Sequence, residues 1–306
     1  MKIVFLGTPE FALPSLKELI KSHHEILAVI SQKDKALDRK GNSIETAVKK
    51  LAKEHNLKIF QFDNVSKEGI DEIKRLAPDI MITVAFGQML SKEFLNIAPH
   101  GVINVHASLL PKYRGASPIQ SAILNGDFKT GVTTMQTVLK MDAGDILKQK
   151  ETKIDWSTTS HSLSQILAQL GAEALIETLS DIENGTLIRI PQDEEKATYT
   201  QKITKEDGLI DFSKTAFEVA RKVQALRAYT FLNGKMLKIH SCDEYEFDLP
   251  LKSGQVAATC DTMLIGCSDE TINVKALQLE GKKAMHIKDF LNGSLIKSGD
   301  ILGGRS

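Results

Sequence analysis

Cysteine is scarce: Cys242, Cys260 and Cys267 are the only three in 306 residues, they form no C-x-x-C pair, and their count is odd. That argues against a disulfide framework and against a thiolate zinc site, and it fits a reducing cytoplasm. Excess charge is missing as well. Lys and Arg total 39, and so do Asp and Glu, so no global field draws in a polyanion and any contact with nucleic acid has to rest on local basic patches. The start has no long apolar run: one lysine precedes IVFLG, which is broken at once by Thr8-Pro9-Glu10. This is too short for a signal-peptide core or a membrane span and reads as a buried strand, so no membrane partner is expected. No internal repeat or low-complexity segment occurs. Gly7 stands alone after the first strand, so the G-x-G-x-x-G loop that would cradle a dinucleotide pyrophosphate is absent. A G-x-S-x-G nucleophile elbow is absent too, which speaks against acyl-enzyme chemistry.

What the chain does have is concentrated between Gly101 and Pro118, GVINVHASLLPKYRGASP, and in MDAGD at 141 to 145. Val102, Asn104 and His106 alternate with Ile103 and Val105. Successive strand side chains point to opposite faces, so Asn104 and His106 project together from one face. Beyond Ala107-Ser108 the loop is stiffened by Pro111 and Pro118 and turned by Gly115, a form suited to holding a flat ligand with main-chain groups. Asp142 follows His106 by 36 residues, beside the Gly144 turn, and from there a carboxylate can reach the imidazole. A lone histidine near a strand end is otherwise an ordinary structural residue. Gathered together, amide, imidazole and carboxylate make a polar acyl-transfer site that supplies no nucleophile of its own.

Around this stretch strand and helix alternate. Strands are predicted at Ile3 to Leu6, 26–30, 58–62, 79–85, 131–139 and 146–154, besides the one carrying Asn104. Helices are predicted from Thr8-Pro9-Glu10, at 43–54, 66–77, 117–125 and about 159–183, with Thr8 offering a capping hydroxyl and Pro14 either kinking the first helix or starting its regular part. The order predicts an α/β fold with an open, mostly parallel sheet covered on both faces and ligands beyond the strands' carboxyl ends. After the second strand, SQKDKALDRKGNS is polar and aperiodic, and Lys33, Lys35, Arg39 and Lys40 outnumber Asp34 and Asp38. Such a long loop is either a solvated surface or functional. Ile190 to Leu209 is charged and poor in apolar periodicity, the composition of a connection between domains. TAFEVARKVQALRA then reads as a helix with Phe217, Ala220, Val223 and Leu226 inward. GKMLKIHSC, GQVAATC, TMLIGC and TINVKALQLEG read as four or five short strands of a small antiparallel barrel. Lys235, Lys238, Lys275, Lys282 and Lys283 would give that barrel a basic groove for nucleic acid; a mixed surface is the alternative, since its acids almost cancel its bases. The predicted division is 1–189 for the first domain, 190–208 for the linker and 209–306 for the smaller second domain.

The run Asn104-x-His106-x-Ser108-Leu109-Leu110-Pro111-x-Tyr113-Arg114-Gly115, followed by Asp142-x-Gly144-Asp145, closely resembles the signature of the folate-dependent formyltransferases. KIVFLGTPEFA, YTQKITKEDGLIDF and LQLEGKKAM extend the resemblance over essentially the whole chain, toward the branch of the family that acts on methionyl-tRNA. The resemblance implies a formyltransferase domain followed by an OB-like tRNA-binding domain, 10-formyltetrahydrofolate as co-substrate, no metal, initiator methionyl-tRNA as partner, and a monomer. In that reaction His106 would polarise or protonate the oxyanion, Asn104 would donate a second hydrogen bond to it, and Asp142 would orient the imidazole and relay the amine's proton through a water. Ser108, Leu109, Leu110 and Pro111 would grip the folate, and the segment from Val84 to Leu90 would pack on its pteridine. Phe11 would line the pocket for a methionine side chain, ordinary core being its other reading. Arg39 would be the arginine of a loop that enters the acceptor end of the tRNA, although Lys40-Gly41-Asn42 is thinner in charge than in many bacterial members. A formyltransferase acting on an amino sugar nucleotide or on glycinamide ribonucleotide, or a formate-releasing hydrolase, would keep Asn104, His106 and Asp142 without needing the basic loop or the barrel. A non-catalytic RNA-binding protein would not need those three residues at all.

Overall fold

Ile3 to Leu6 and Ile80 to Val84 are apolar on both faces apart from Thr83, and all of them are buried. Strands of that composition belong in the middle of a sheet covered on both sides. In the computed structural model they are β1 (Lys2–Gly7) and β4 (Ile80–Val84), joined by β2 (Glu25–Ser31), β3 (Ile59–Gln61), β5 (Val102–His106), β6 (Lys129–Gln136) and β7 (Ile146–Lys153) in the spatial order β7-β6-β5-β4-β1-β2-β3. From β3 to β5 the pairings are parallel, whereas β6 runs antiparallel to β5 and β7 antiparallel to β6. The strand bearing Asn104 and His106 is therefore interior and lies where the sheet changes from parallel to antiparallel. The structure describes residues 1–34, 36–37, 41, 43–246, 251–293 and 296–303. These fall into two units: 1–118, 129–153 and 161–201 form the first, and the rest belong to the second.

In the first unit α1 (Leu13–Lys21), α2 (Ala47–Glu54) and the long α4 (Ser160–Glu183) share an apolar cluster with Ile3, Phe5, Ile82, Ile103 and Val105, while α3 (Ile70–Leu76) covers the opposite face with Val4, Leu6, Met81 and Val102. Each fully buried aliphatic side chain contributes on the order of 1.5–3 kcal/mol relative to exposure. A Cβ added to Gly171 would lie 2.7 Å from Val105 Cγ1, so a glycine there is what lets α4 sit tightly over β5. Several local expectations need correction. The Thr8 hydroxyl does not cap a helix; it donates to the Phe86 carbonyl at 3.2 Å and accepts from Gln32 N at 3.3 Å, tying two strand ends together. Pro14 falls in the first turn of α1 and starts the helix without kinking it. The helix expected from 43 begins at Ala47, because Thr46 caps it by accepting from Lys49 N, and Ser43–Ile44 pairs instead with Ala36–Leu37. The helix expected at 66–77 breaks at Gly69 into Val65–Glu68 and Ile70–Leu76.

The second unit contains α5 (Ala216–Ala225), β8 (Tyr229–Leu232), β9 (Lys235–Tyr245), β10 (Val256–Ala258), β11 (Met263–Gly266), β12 (Thr271–Leu279), β13 (Met285–His286) and α6 (Ile287–Asn292). The antiparallel order is β8-β9-β12-β11-β10, with β13 on β12. Residues 299–303 bridge both edges, Gly303 against Phe231 of β8 and Ile301 against Gln255 beside β10, which brings the sheet round into a small barrel. The inward stripe of α5 is Ala216, Val219, Ala220 and Val223, so the expectation for Phe217 and Leu226 was one position off. Phe217 packs edge-on against Trp156, 5.7 Å between ring centroids, and the Arg221 guanidinium stacks over both rings, because segments 119–128 and 154–160 belong to this unit.

Candidate active site

Asn104 and His106 leave the same face of β5, as the alternation requires, opposite Met135 and Thr133 of β6. His106 is buried and Asn104 half-buried. Asp142 arrives from the turn between β6 and β7, and the three side chains meet: Asn104 Nδ2 donates to Asp142 Oδ1 at 3.5 Å, and His106 Nδ1 lies 3.7 Å from Asp142 Oδ2. A closer contact fixes the carboxylate, since Gly115 N donates to Asp142 Oδ2 at 2.8 Å. The imidazole is oriented from its other side. His106 Nε2 lies 2.9 Å from the Tyr113 carbonyl oxygen, which can only accept, so Nε2 carries the proton and Nδ1 is the nitrogen that faces Asp142. Both groups that engage the histidine sit on strained backbone. Tyr113 has φ 62° and Asp142 φ 47°, left-handed positions that cost a non-glycine residue on the order of 1–3 kcal/mol and persist only where the surroundings hold them.

The loop after β5 is held by the protein itself. Each carbonyl from Ser108 through Arg114 accepts a hydrogen bond: from Thr133 Oγ1, Lys112 N, Gln149 Nε2, Thr198 N, Ser108 Oγ, His106 Nε2 and Thr200 Oγ1 in turn. Leu110 N in turn donates to Thr133 Oγ1 at 3.1 Å. Of the four residues expected to grip a folate, Ser108 and Leu110 are buried, Leu110 against Met135 and Ile146, whereas Leu109 and Pro111 keep half-exposed side chains. The segment expected to be a mere connection is part of this scaffold. Tyr199–Thr200 pairs in parallel with Arg114–Gly115. A Cβ at Gly115, where φ is 113°, would meet the Thr200 carbonyl at 2.4 Å. Glu194 pairs with Arg114 and Lys140, and these two cations hold its carboxyl at about 2 instead of the usual 4.5.

The remaining expected residues are spread more widely. Phe11 packs half-buried against the cluster that includes Ile3, Phe5 and Leu16. In the wall segment Ala85 and Gly87 have φ of 47° and 80°, Phe86 is buried, and its carbonyl accepts from Thr8 and Gln32. Arg39, with Lys35 and Lys40, lies outside the described residues, but the base of its loop is pinned: Asp34 accepts from Thr46 N at 3.2 Å and Gln61 Nε2 at 3.1 Å and pairs with Lys49. In the second unit Arg227, Lys238 and His240 line a cavity of about 280 Å³ with Val223, Leu226, Ala228 and Ile239, and Lys275 is paired with Asp243 at 3.3 Å. Among the described residues, one group of side chains has metal-ligand types close together, His23, His24 and Glu183, with ligand atoms within 4.8 Å. It precedes β2 and ends α4, at the opposite end of the sheet from His106. Sequence reasoning missed the Tyr113 carbonyl, Gly115 N, Thr133, Gln149 and the contribution of residues 192–200. Only the first four leave a trace in the sequence, as neighbours of the motif on its loop and on paired strands.

An interior strand presents Asn104 and His106 at its carboxyl end, and Asp142 reaches them from the turn between β6 and β7. The chain belongs to the formyl transferase family: residues 1–179 match Formyl transferase and residues 202–295 match Formyl transferase, C-terminal domain. Over 99% of its length it is 40% identical to the methionyl-tRNA formyltransferase of Ruminiclostridium cellulolyticum, covering 100% of that protein, and 41% identical to that of Geotalea daltonii, covering 98%. Among solved structures it resembles WlaRD, a sugar 3N-formyl transferase solved in the presence of dTDP and 5-N-formyl-THF, with a TM-score of 0.68, 23% identity and coverage of 92% of this chain and 99% of that one. It also resembles HypX from Aquifex aeolicus in complex with tetrahydrofolic acid, with a TM-score of 0.64, 18% identity and coverage of 100% and 51%. No helix among the described residues is long and apolar enough to cross a membrane.

Proposed function

We propose that the chain transfers the formyl group of 10-formyltetrahydrofolate to the α-amino group of methionine on initiator methionyl-tRNA, acting as a cytoplasmic monomer. The observation that carries this reading is the meeting of Asn104, His106 and Asp142 at one strand end in a chain 40% identical, end to end, to a methionyl-tRNA formyltransferase. The neutral amine attacks the formyl carbon, and the carbonyl oxygen becomes an oxyanion in a tetrahedral intermediate. Breaking the bond from that carbon to the folate nitrogen completes the transfer, with the amine losing one proton and the folate nitrogen gaining one. Asn104 Nδ2 and, in the imidazolium form of the ring, His106 Nδ1–H face the space where the oxyanion forms, Nε2–H being already given to the Tyr113 carbonyl, and donors aimed at such a charge in a water-excluded site are worth about 3 kcal/mol each. Asp142 accepts the amine's proton, directly or through one water. No nucleophilic side chain is required and the chemistry draws on no metal.

Ser108, Leu109, Leu110 and Pro111 shape the folate site, with Leu109 and Pro111 offering side-chain surface and the pre-set backbone fixing its form. The turn around Gly87 is the wall for the pteridine, and Phe11 lines the methionine pocket. Arg39 contacts the acceptor end, where a guanidinium suits phosphates and base edges, and the barrel of residues 209–306 adds backbone contacts through basic groups such as Lys238. The test is a formyl-transfer assay with 10-formyltetrahydrofolate and charged initiator methionyl-tRNA, set against free methionine and amino sugar nucleotides. Transfer to the charged tRNA alone is expected, and transfer to an amino sugar nucleotide instead would establish the rival reading.

A further inference from the structure

Arg114 is completely buried, and its guanidinium uses every donor it has. Nη1 donates to Glu194 Oε2 at 3.0 Å and to Tyr199 Oη at 3.2 Å; Nη2 donates to Glu194 Oε1 at 2.9 Å. The two donors left, Nε and the second hydrogen of Nη2, both go to Gln192 Oε1, at 3.0 and 2.8 Å. Because arginine has no acceptor, this contact settles which end of the Gln192 carboxamide is oxygen. The amide nitrogen is thereby aimed the other way, and it donates to the Asp142 carbonyl at 2.8 Å and the Gly144 carbonyl at 2.7 Å.

We propose that Gln192 is a positioning residue for the formyl transfer: its carboxamide, locked by the buried Arg114, sets the turn that presents the Asp142 carboxylate to His106 and Asn104. The inference rests on the function proposed above. The turn needs such support because Asp142 is held at φ 47°, and because its carboxylate stands 3.5 and 3.7 Å from its two partners, a margin that a small displacement removes. Arg114 and Gly115 are consecutive, so one strand delivers both constraints: the guanidinium acts through Gln192 on the main chain of the Asp142 turn, and Gly115 N acts on the carboxylate itself. The turn, the strand and the 192–200 segment therefore form a closed set of contacts around one aspartate.

The test is a double-mutant cycle in the full chain, with kcat and both KM values measured for 10-formyltetrahydrofolate and methionyl-tRNA. Gln192→Ala is expected to lower kcat by about 10- to 100-fold, as outer residues that hold a reacting group commonly do, with KM values within about twofold. In an Asp142→Ala background the same change should cost less than about threefold, since its effect passes through Asp142. Unchanged kcat, or losses that multiply in full, would overturn the proposal. Gln192→Glu keeps an oxygen acceptor for Arg114 while removing the N–H donors to the Asp142 turn, and serves if the alanine variant does not fold. A substrate-free measurement separates this inference from the assignment of the acceptor. The His106 imidazole resonances, followed by NMR, should move on Gln192→Ala in the direction they move on Asp142→Ala, and unmoved resonances would refute the positioning role whatever amine the enzyme formylates. A wild-type chain that fails to formylate methionyl-tRNA counts against the assigned acceptor alone.

Discussion

Replacing Gly144 by alanine probes the aspartate turn without touching any group that reacts. A Cβ there would stand 1.7 Å from the Gln136 carbonyl oxygen and 2.8 Å from its carbon, where ordinary contact begins near 3.4 Å. Neither atom can swing aside, for both belong to the main chain at the end of β6, and Gln136 N is itself bonded to the Asp145 carbonyl at 2.9 Å. The turn must retreat by more than an ångström, and Asp142 goes with it. At that displacement the 2.8 Å bond from Gly115 N is lost and the approaches to Asn104 and His106 pass out of range. A misplacement of about 1 Å costs on the order of 100-fold in rate, and overpacking costs about 1–3 kcal/mol of stability. Steady-state formyl transfer should show kcat lower by about two orders of magnitude with the KM for tRNA little changed, and urea unfolding should show a lower midpoint at the same slope. Gly144→Ala turning over within about twofold of wild type would show that the carboxylate's position does not govern the rate.

Asn104→Ala, His106→Ala and Asp142→Ala should each lower turnover by about 10²- to 10⁴-fold while tRNA affinity, measured by filter binding, stays near wild type, and parallel loss of binding would count against their assigned roles. Arg39→Ala should do the reverse, raising the KM for methionyl-tRNA about tenfold or more with folate binding intact; equal activity on tRNAs with altered acceptor ends would mark that loop as plain surface. Glu194 predicts a pH dependence. Its carboxyl is depressed from 4.5 to about 2, by Arg114 first and Lys140 second, so its contribution to stability is complete above about pH 4.5 and is lost as pH falls through about 2. The difference in unfolding midpoint between wild type and Glu194→Gln should accordingly be flat above about pH 5 and shrink below it, and a difference that grows on acidification would contradict the pairing.

Much of the architecture was legible because it follows local periodicity. Buried runs such as Ile3 to Leu6 marked interior strands, and the alternation through 102–106 placed Asn104 and His106 together before any contact was known. Errors arose where a residue's partner was distant. Thr8 looked like a cap because the competing acceptor, the Phe86 carbonyl, is 78 residues away. Phe217 looked like core because nothing nearby in sequence announces that Trp156 covers it. Residues 190–208 looked like a connection because they are polar, yet within them Gln192, Glu194, Thr198 and Tyr199 satisfy Arg114 and the loop beside it.

By itself the sequence determined which side chains share a strand face, where the loop turns and which family the pattern resembles, since these depend on spacing of two to a few residues and on the conformations open to proline and glycine. Only the tertiary structure decided which nitrogen of His106 is free, what holds Asp142 in its left-handed turn and why Arg114 is buried. Each of those answers is a hydrogen bond between atoms that come within 3 Å of one another only when strand, turn and the 192–200 segment close together.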